Sequence, residues 1–147
     1  MALYVQNGKI KLVVTQDQGV DKVTWEGTVK FIPLVPTDTV TPEKEDVIFS
    51  FRPQDKPDAY VRRIPAGGLT KNANGFSIND IGRQVSGIDQ FDLTTNADGT
   101  WSASLKDVKA VVMSQSYALT CFTLQIGDDS GTDCEPLSPV GATWIGN

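Results

Sequence analysis

Thr94-Thr95-Asn96-Ala97-Asp98-Gly99-Thr100-Trp101-Ser102-Ala103-Ser104-Leu105 is the stretch from which the fold is read. Asn-Ala-Asp-Gly is turn chemistry. The Asn and Asp side chains hydrogen-bond to nearby backbone, and Gly accepts the left-handed conformation that closes a hairpin. After the turn, Trp101, Ala103 and Leu105 point one way, while Ser102, Ser104 and Lys106 point the other. Side chains of a strand alternate between faces, so this pattern places one face on a core and one in water. The same shape of turn recurs at Asn72-Ala73-Asn74-Gly75, ahead of Phe76 and Ile78, and predicts a second hairpin of similar chemistry.

The neighbouring segments keep the period of two. Gly8 to Thr15 sets Ile10, Leu12 and Val14 against Lys9 and Lys11. Val23 to Val35 sets Val23, Trp25, Val29 and Phe31 against Thr24, Glu26, Thr28 and Lys30. Val47, Phe49 and Phe51 alternate with Ile48, Ser50 and Arg52, and Ala59 to Ile64 reads as a fourth strand. Asn79 to Gly87 has room for a helical turn. Ser116 to Ile126 departs from the rule, because Tyr117, Leu119 and Cys121 on one face oppose Ala118, Phe122, Leu124 and Ile126 on the other. Either a bulge switches the inward face midway, or a subunit contact or loop covers the outer face. Pro136 and Pro139 argue against a regular central strand near the end of the chain. The expectation is a single β-sandwich domain over 1–147, with an N-terminal strand extension and an irregular C-terminal tail whose Trp144 and Ile145 dock on something.

A chain of 147 residues can bury a core without staples. Its net charge of −5 disfavours a nucleic-acid footprint. No run approaches the roughly 20 apolar residues that cross a bilayer, so no membrane partner is expected. The start lacks the basic and apolar regions of a signal peptide, which predicts synthesis and retention in the cytoplasm or release by assembly or lysis. There is no His, and no Gly-rich phosphate loop, nucleophile elbow or metal-binding helix. The chain is therefore not expected to be an enzyme or to carry a cofactor, because nothing obvious would activate its many hydroxyl groups.

Charge is unevenly placed. Between Arg52 and Lys71, five cations, including the pair Arg62 and Arg63, face two carboxylates. Beyond Lys109 there is no Lys or Arg, while Asp128, Asp129, Asp133 and Glu135 remain. A basic middle and an acidic end suit head-to-tail self-association. The four carboxylates are also a weak candidate set for Ca²⁺. Cys121 and Cys134 flank one turn. A hairpin centred on Asp129 and Ser130 would set Cys121 opposite residue 138, so two free thiols are expected, and a disulfide would need irregular backbone. Trp25 and Trp101 fall on apolar faces and read as core. Trp144 is the one Trp available to a glycan, so a carbohydrate-binding or adhesive module is the alternative role.

Asn96-Ala97-Asp98-Gly99-Thr100-Trp101-Ser102, Tyr117-Ala118-Leu119-Thr120 and Asp128-Asp129-Ser130-Gly131 together resemble bacterial immunoglobulin-like repeats, in which a turn of this kind leads into an aromatic strand. The resemblance covers residues 94–131 and implies an antiparallel immunoglobulin-like β-sandwich. It also implies a role by contact, as in the free-standing modules of phage virions. Capsid decoration or tail proteins in the virion are the expected class, acting through protein partners or self-association. The interface candidates are Tyr117, Leu119, Arg62, Arg63, Trp144 and Ile145.

Overall fold

A computed structural model of the chain describes residues 2–14, 19–33, 35, 40–53, 60–79, 89–107, 112–113, 117–140 and 143–146. Twelve strands are present: β1 Ala2–Val14, β2 Gly19–Ile32, β3 Val47–Pro53, β4 Tyr60–Ile64, β5 Thr70–Asn72, β6 Gly75–Asn79, β7 Gln90–Thr95, β8 Trp101–Asp107, β9 Val112–Met113, β10 Leu119–Ile126, β11 Asp129–Val140 and β12 Thr143–Gly146. They form one antiparallel sheet in the order β4-β3-β10-β11-β12-β1-β2-β8-β7-β6-β5. β9 pairs with β2 at Gly19 and Val20, past the end of its ladder with β8. The expected helical turn lies outside the described residues, save Asn79, which ends β6.

The sheet is curled, and β11 is where it is joined. Residues 129–136 of this strand pair with β10, and residues 137–140 pair with β12. The two halves then face each other across one core. The ring of Trp25 in β2 stacks on Phe122 in β10 at 4.3 Å and 4°. Phe49 in β3 meets Phe91 in β7 edge-on at 4.4 Å. Leu12, Val23, Val29, Phe49, Ile64, Phe91 and Leu124 are fully buried. Each such side chain contributes about 1.5–3 kcal/mol by leaving water. The alternation read from β2, β3 and β8 is the alternation that builds this core.

Four local expectations are corrected. First, β10 has no bulge. Thr120, Phe122, Leu124 and Ile126 face inward in unbroken alternation, and Tyr117 precedes the strand. Second, the end of the chain is not an irregular tail but the second half of β11 followed by β12, in the middle of the sheet. β11 tolerates its prolines by their placement. Leu137 donates its N–H to Ala118 O, so Pro139, of the same parity, turns its missing N–H to the side where β10 has ended. Pro136 has the opposite parity and sits just before the ladder with β12 begins at Leu137. Third, the N-terminal segment is not an extension. β1 pairs with β2 from Ala2 onward and with β12 at Lys11–Val13, with an irregularity at Gln6–Lys9 where Asn7 takes φ 53°. Fourth, the two Asn-Ala-Asx-Gly turns differ. Gly99 lies in the left-handed region at φ 86°, whereas Gly75 is already the first residue of β6, paired with Asn72 across a two-residue turn.

Candidate functional site

The outer surface of β10, β11 and β12 carries an apolar strip. Outward positions alternate along β11, and cross-strand partners share a face. Cys134 is opposite Cys121, Pro136 opposite Leu119, Ser138 opposite Ile145, and Val140 opposite Thr143. Leu119 is 38% exposed, Ile145 42% and Val140 62%, so these side chains lie open beside Pro136. Two of the six sequence-derived interface candidates, Leu119 and Ile145, therefore share one surface on adjacent rows. Tyr117 does not join them, being 1% exposed, with its carbonyl accepting from Thr120 Oγ1 and its ring edge-on to Trp144. Trp144 packs against the core. Sequence reasoning missed Val140 and Pro136 because it read this segment as irregular.

One end of the strip is a covalent staple. Cys121 and Cys134 are joined in a disulfide. The hairpin turns at Gly127 and Asp128, not at Asp129 and Ser130, and Ile126 pairs with Asp129. Gly127 permits this turn at φ 61°. That register sets Cys121 directly opposite Cys134 in a regular ladder. Without reductant, neither Cys is expected to take up iodoacetamide in the denatured chain. Reduction is expected to lower stability by about 2–3 kcal/mol through the larger entropy of the unfolded chain. Alkylation read by mass and denaturant unfolding with and without reductant check both outcomes.

The arginine pair is engaged within the chain. Arg63 Nη2 donates to Asp46 Oδ2 at 2.8 Å and holds that carboxyl below its usual range, helped by the Ala66 N–H. Arg62 lies on the opposite face, with its guanidinium carbon 4.6 Å from the Tyr60 ring centroid and its Nε 3.4 Å from Asp107 Oδ2. Tyr60 donates its hydroxyl to the same oxygen at 2.7 Å. Asp107 is fully buried, and the sequence offered no sign of its role, since its partner Tyr60 lies 47 positions away on a strand that does not pair with β8.

The acidic C-terminal segment is divided between faces. Asp129, Asp133 and Glu135 fall on the less exposed rows of β11. β1 pairs with β12 at Lys11, Leu12 and Val13, and its preceding residues lie beside β11. There Gly8 N–H donates to Asp133 Oδ2 at 3.1 Å, and Ile10 N–H donates to the Glu135 carboxylate. Two carboxylates thus accept from backbone N–H groups of β1 in the place of strand carbonyls. Asp128 sits in the turn, and the four acids do not converge. Among the described residues no group of three or more His, Cys, Asp or Glu is placed to hold a metal ion.

The aromatic residues form no exposed platform around the tryptophans. Trp25 is stacked in the core, and Trp101 lies between Phe31 and Phe76 at 5.8 and 5.6 Å. A trough of about 360 Å³ crosses the outer face of β1, β2, β8 and β7, with Asn7, Lys9, Glu26, Asp92, Ser102 and Ser104 among its lining. It is polar and open. No helix of the described chain is long and apolar enough to cross a membrane. Comparison with protein-family models, curated proteins and solved structures finds no match to the chain.

Proposed function

We propose that the protein is a non-enzymatic structural and interaction protein, an immunoglobulin-like β-sandwich that serves in a phage virion as a capsid decoration or tail component. The observation that carries this reading is the open apolar strip of Leu119, Pro136, Val140 and Ile145. A contiguous exposed apolar surface is the usual mark of a protein contact. The strip lies on strands in the middle of the sheet, braced by the Cys121–Cys134 bond, so it is rigid and pays little ordering entropy on docking. A disulfide suits a particle that persists in an oxidising medium after release.

The double variant Leu119→Lys, Ile145→Lys tests the strip. Both side chains point to solvent, so the variant is expected to keep its melting temperature within a few degrees. Binding to capsids or tails, read by co-sedimentation, is expected to weaken about hundredfold, as two apolar contacts are replaced by desolvated charges. Wild-type protein that stays monomeric at high concentration and binds neither particle rejects the reading.

A further inference from the structure

We propose that Glu135, packed against Asp133, forms a pH-sensitive clasp on the seam between β1 and β11, closed below neutrality and loosened above it. The geometry is specific. Asp133 Oδ2 and Glu135 Oε1 crowd the same point beside Gly8, and two carboxyl groups packed this closely favour a proton on one of them. The same pair receives the N–H groups of Gly8 and Ile10, which precede the ladder of β1 with β12 at Lys11–Val13. Glu135 Oε2 is shut away from solvent without a hydrogen-bond partner, an arrangement that favours the neutral acid over the anion. Gly8 leaves the space for this packing. A Cβ there would come under 3.0 Å from Asp133, Glu135 and Trp25 Nε1 together.

No cation faces the pair among the described residues around it. β1 turns Lys9 and Lys11 to the opposite face of the sheet. β2 presents the indole of Trp25, whose Nε1 is buried without a partner, and β12 presents Gly146. On β10 the cross-strand neighbours are Thr120 and Phe122. On β11 the other inward acid is Asp129, beyond Gly131. With burial and the Asp133 charge both opposing ionisation, the Glu135 carboxyl is pushed up to about 7. Its free value is 4.5, so the folded protein holds the proton more tightly than the unfolded chain. The stabilisation is full below the free value and is lost as pH rises toward the folded one. Between the two acids, Cys134 ties β11 to β10 on the other face, so loosening falls on the β1 side.

The test is a pair of measurements on the intact chain. The thermal midpoint of wild type is expected to fall by roughly 3–6 °C from pH 5 to pH 8. In Glu135→Gln, which keeps the shape without the charge, that slope is expected to vanish. In parallel, amide exchange at Gly8 and Ile10, corrected for intrinsic rates, is expected to rise about tenfold over the same range. A wild-type midpoint that stays level, or a slope that survives in Glu135→Gln, overturns the clasp. Should the variant fail to fold, carboxyl NMR of wild type decides. Titration of Glu135 near neutrality sustains the proposal, and titration in the ordinary carboxylate range overturns it.

Discussion

Asp107→Ala is expected to lower the unfolding free energy by about 3 kcal/mol, from loss of a buried carboxylate that accepts the Tyr60 hydroxyl and pairs with Arg62. Asp107 is fully buried at the end of β8, and its Oδ2 takes the Tyr60 hydroxyl at 2.7 Å. Tyr60 belongs to β4, at the far end of the sheet order, so this bond ties the two halves of the curled sheet together. Removing the carboxylate leaves the Tyr60 oxygen without this acceptor in a site closed to water. Arg62 loses less, because it is 28% exposed at its side chain and can turn to solvent. Asp107→Asn keeps an acceptor for Tyr60 but removes the charge, and is expected to cost about 1–2 kcal/mol. A double-mutant cycle with Tyr60→Phe separates the terms, with an expected coupling of about 1–2 kcal/mol. Denaturant midpoints check all three. A loss under about 0.5 kcal/mol in Asp107→Ala would show that the bond contributes nothing net.

Gly8→Ala is expected to cost about as much, near 3 kcal/mol, by overpacking the β1–β11 seam. The new methyl group would fall among Asp133, Glu135 and Trp25 Nε1, none of which can retreat freely. Trp25 is stacked flat on Phe122, and both carboxylates are engaged with β1 backbone. Gly67→Ala is the contrast. It has nothing within 4 Å and a φ of +87°, so it is expected to lose about 1 kcal/mol through backbone conformation alone. Similar losses at the two positions, measured by denaturant unfolding, would show that crowding at Gly8 is relieved elsewhere. The acids whose contribution is lost at low pH are distinct from the seam. Asp46, held by Arg63, and Asp98, held by Thr100, both have lowered pKa values, so what they contribute is lost only as pH falls below the ordinary carboxylate range.

The candidate site was legible in part. Leu119 and Ile145 were marked by being apolar at outward or terminal positions, and that signal is local. Val140 and Pro136 were hidden by the prolines, which forbid a ladder bond but do not say which side of a strand lacks a neighbour. The disulfide was hidden by a turn centre misplaced by two residues. One glycine, Gly127, decides that register, and several Gly and Asp residues nearby compete for the same place in the sequence.

What the sequence determined by itself is the strand character and the inward face of β2, β3 and β8, because alternation follows from the pleat and needs no distant partner. The turn at Asn96–Gly99 belongs with these, held by its own side chains, with Asp98 Oδ1 accepting from Thr100 N–H at 3.0 Å. The tertiary structure alone decided which strands are neighbours. It placed the last residues of the chain beside β1, turned half of the acidic segment inward, and set Asp107 against Tyr60. These outcomes join residues more than a hundred positions apart, 125 at Gly8 and Asp133. They are selected by the closing of one shared core and by the need to satisfy the backbone N–H groups of β1 ahead of its ladder with β12, and no local pattern records either.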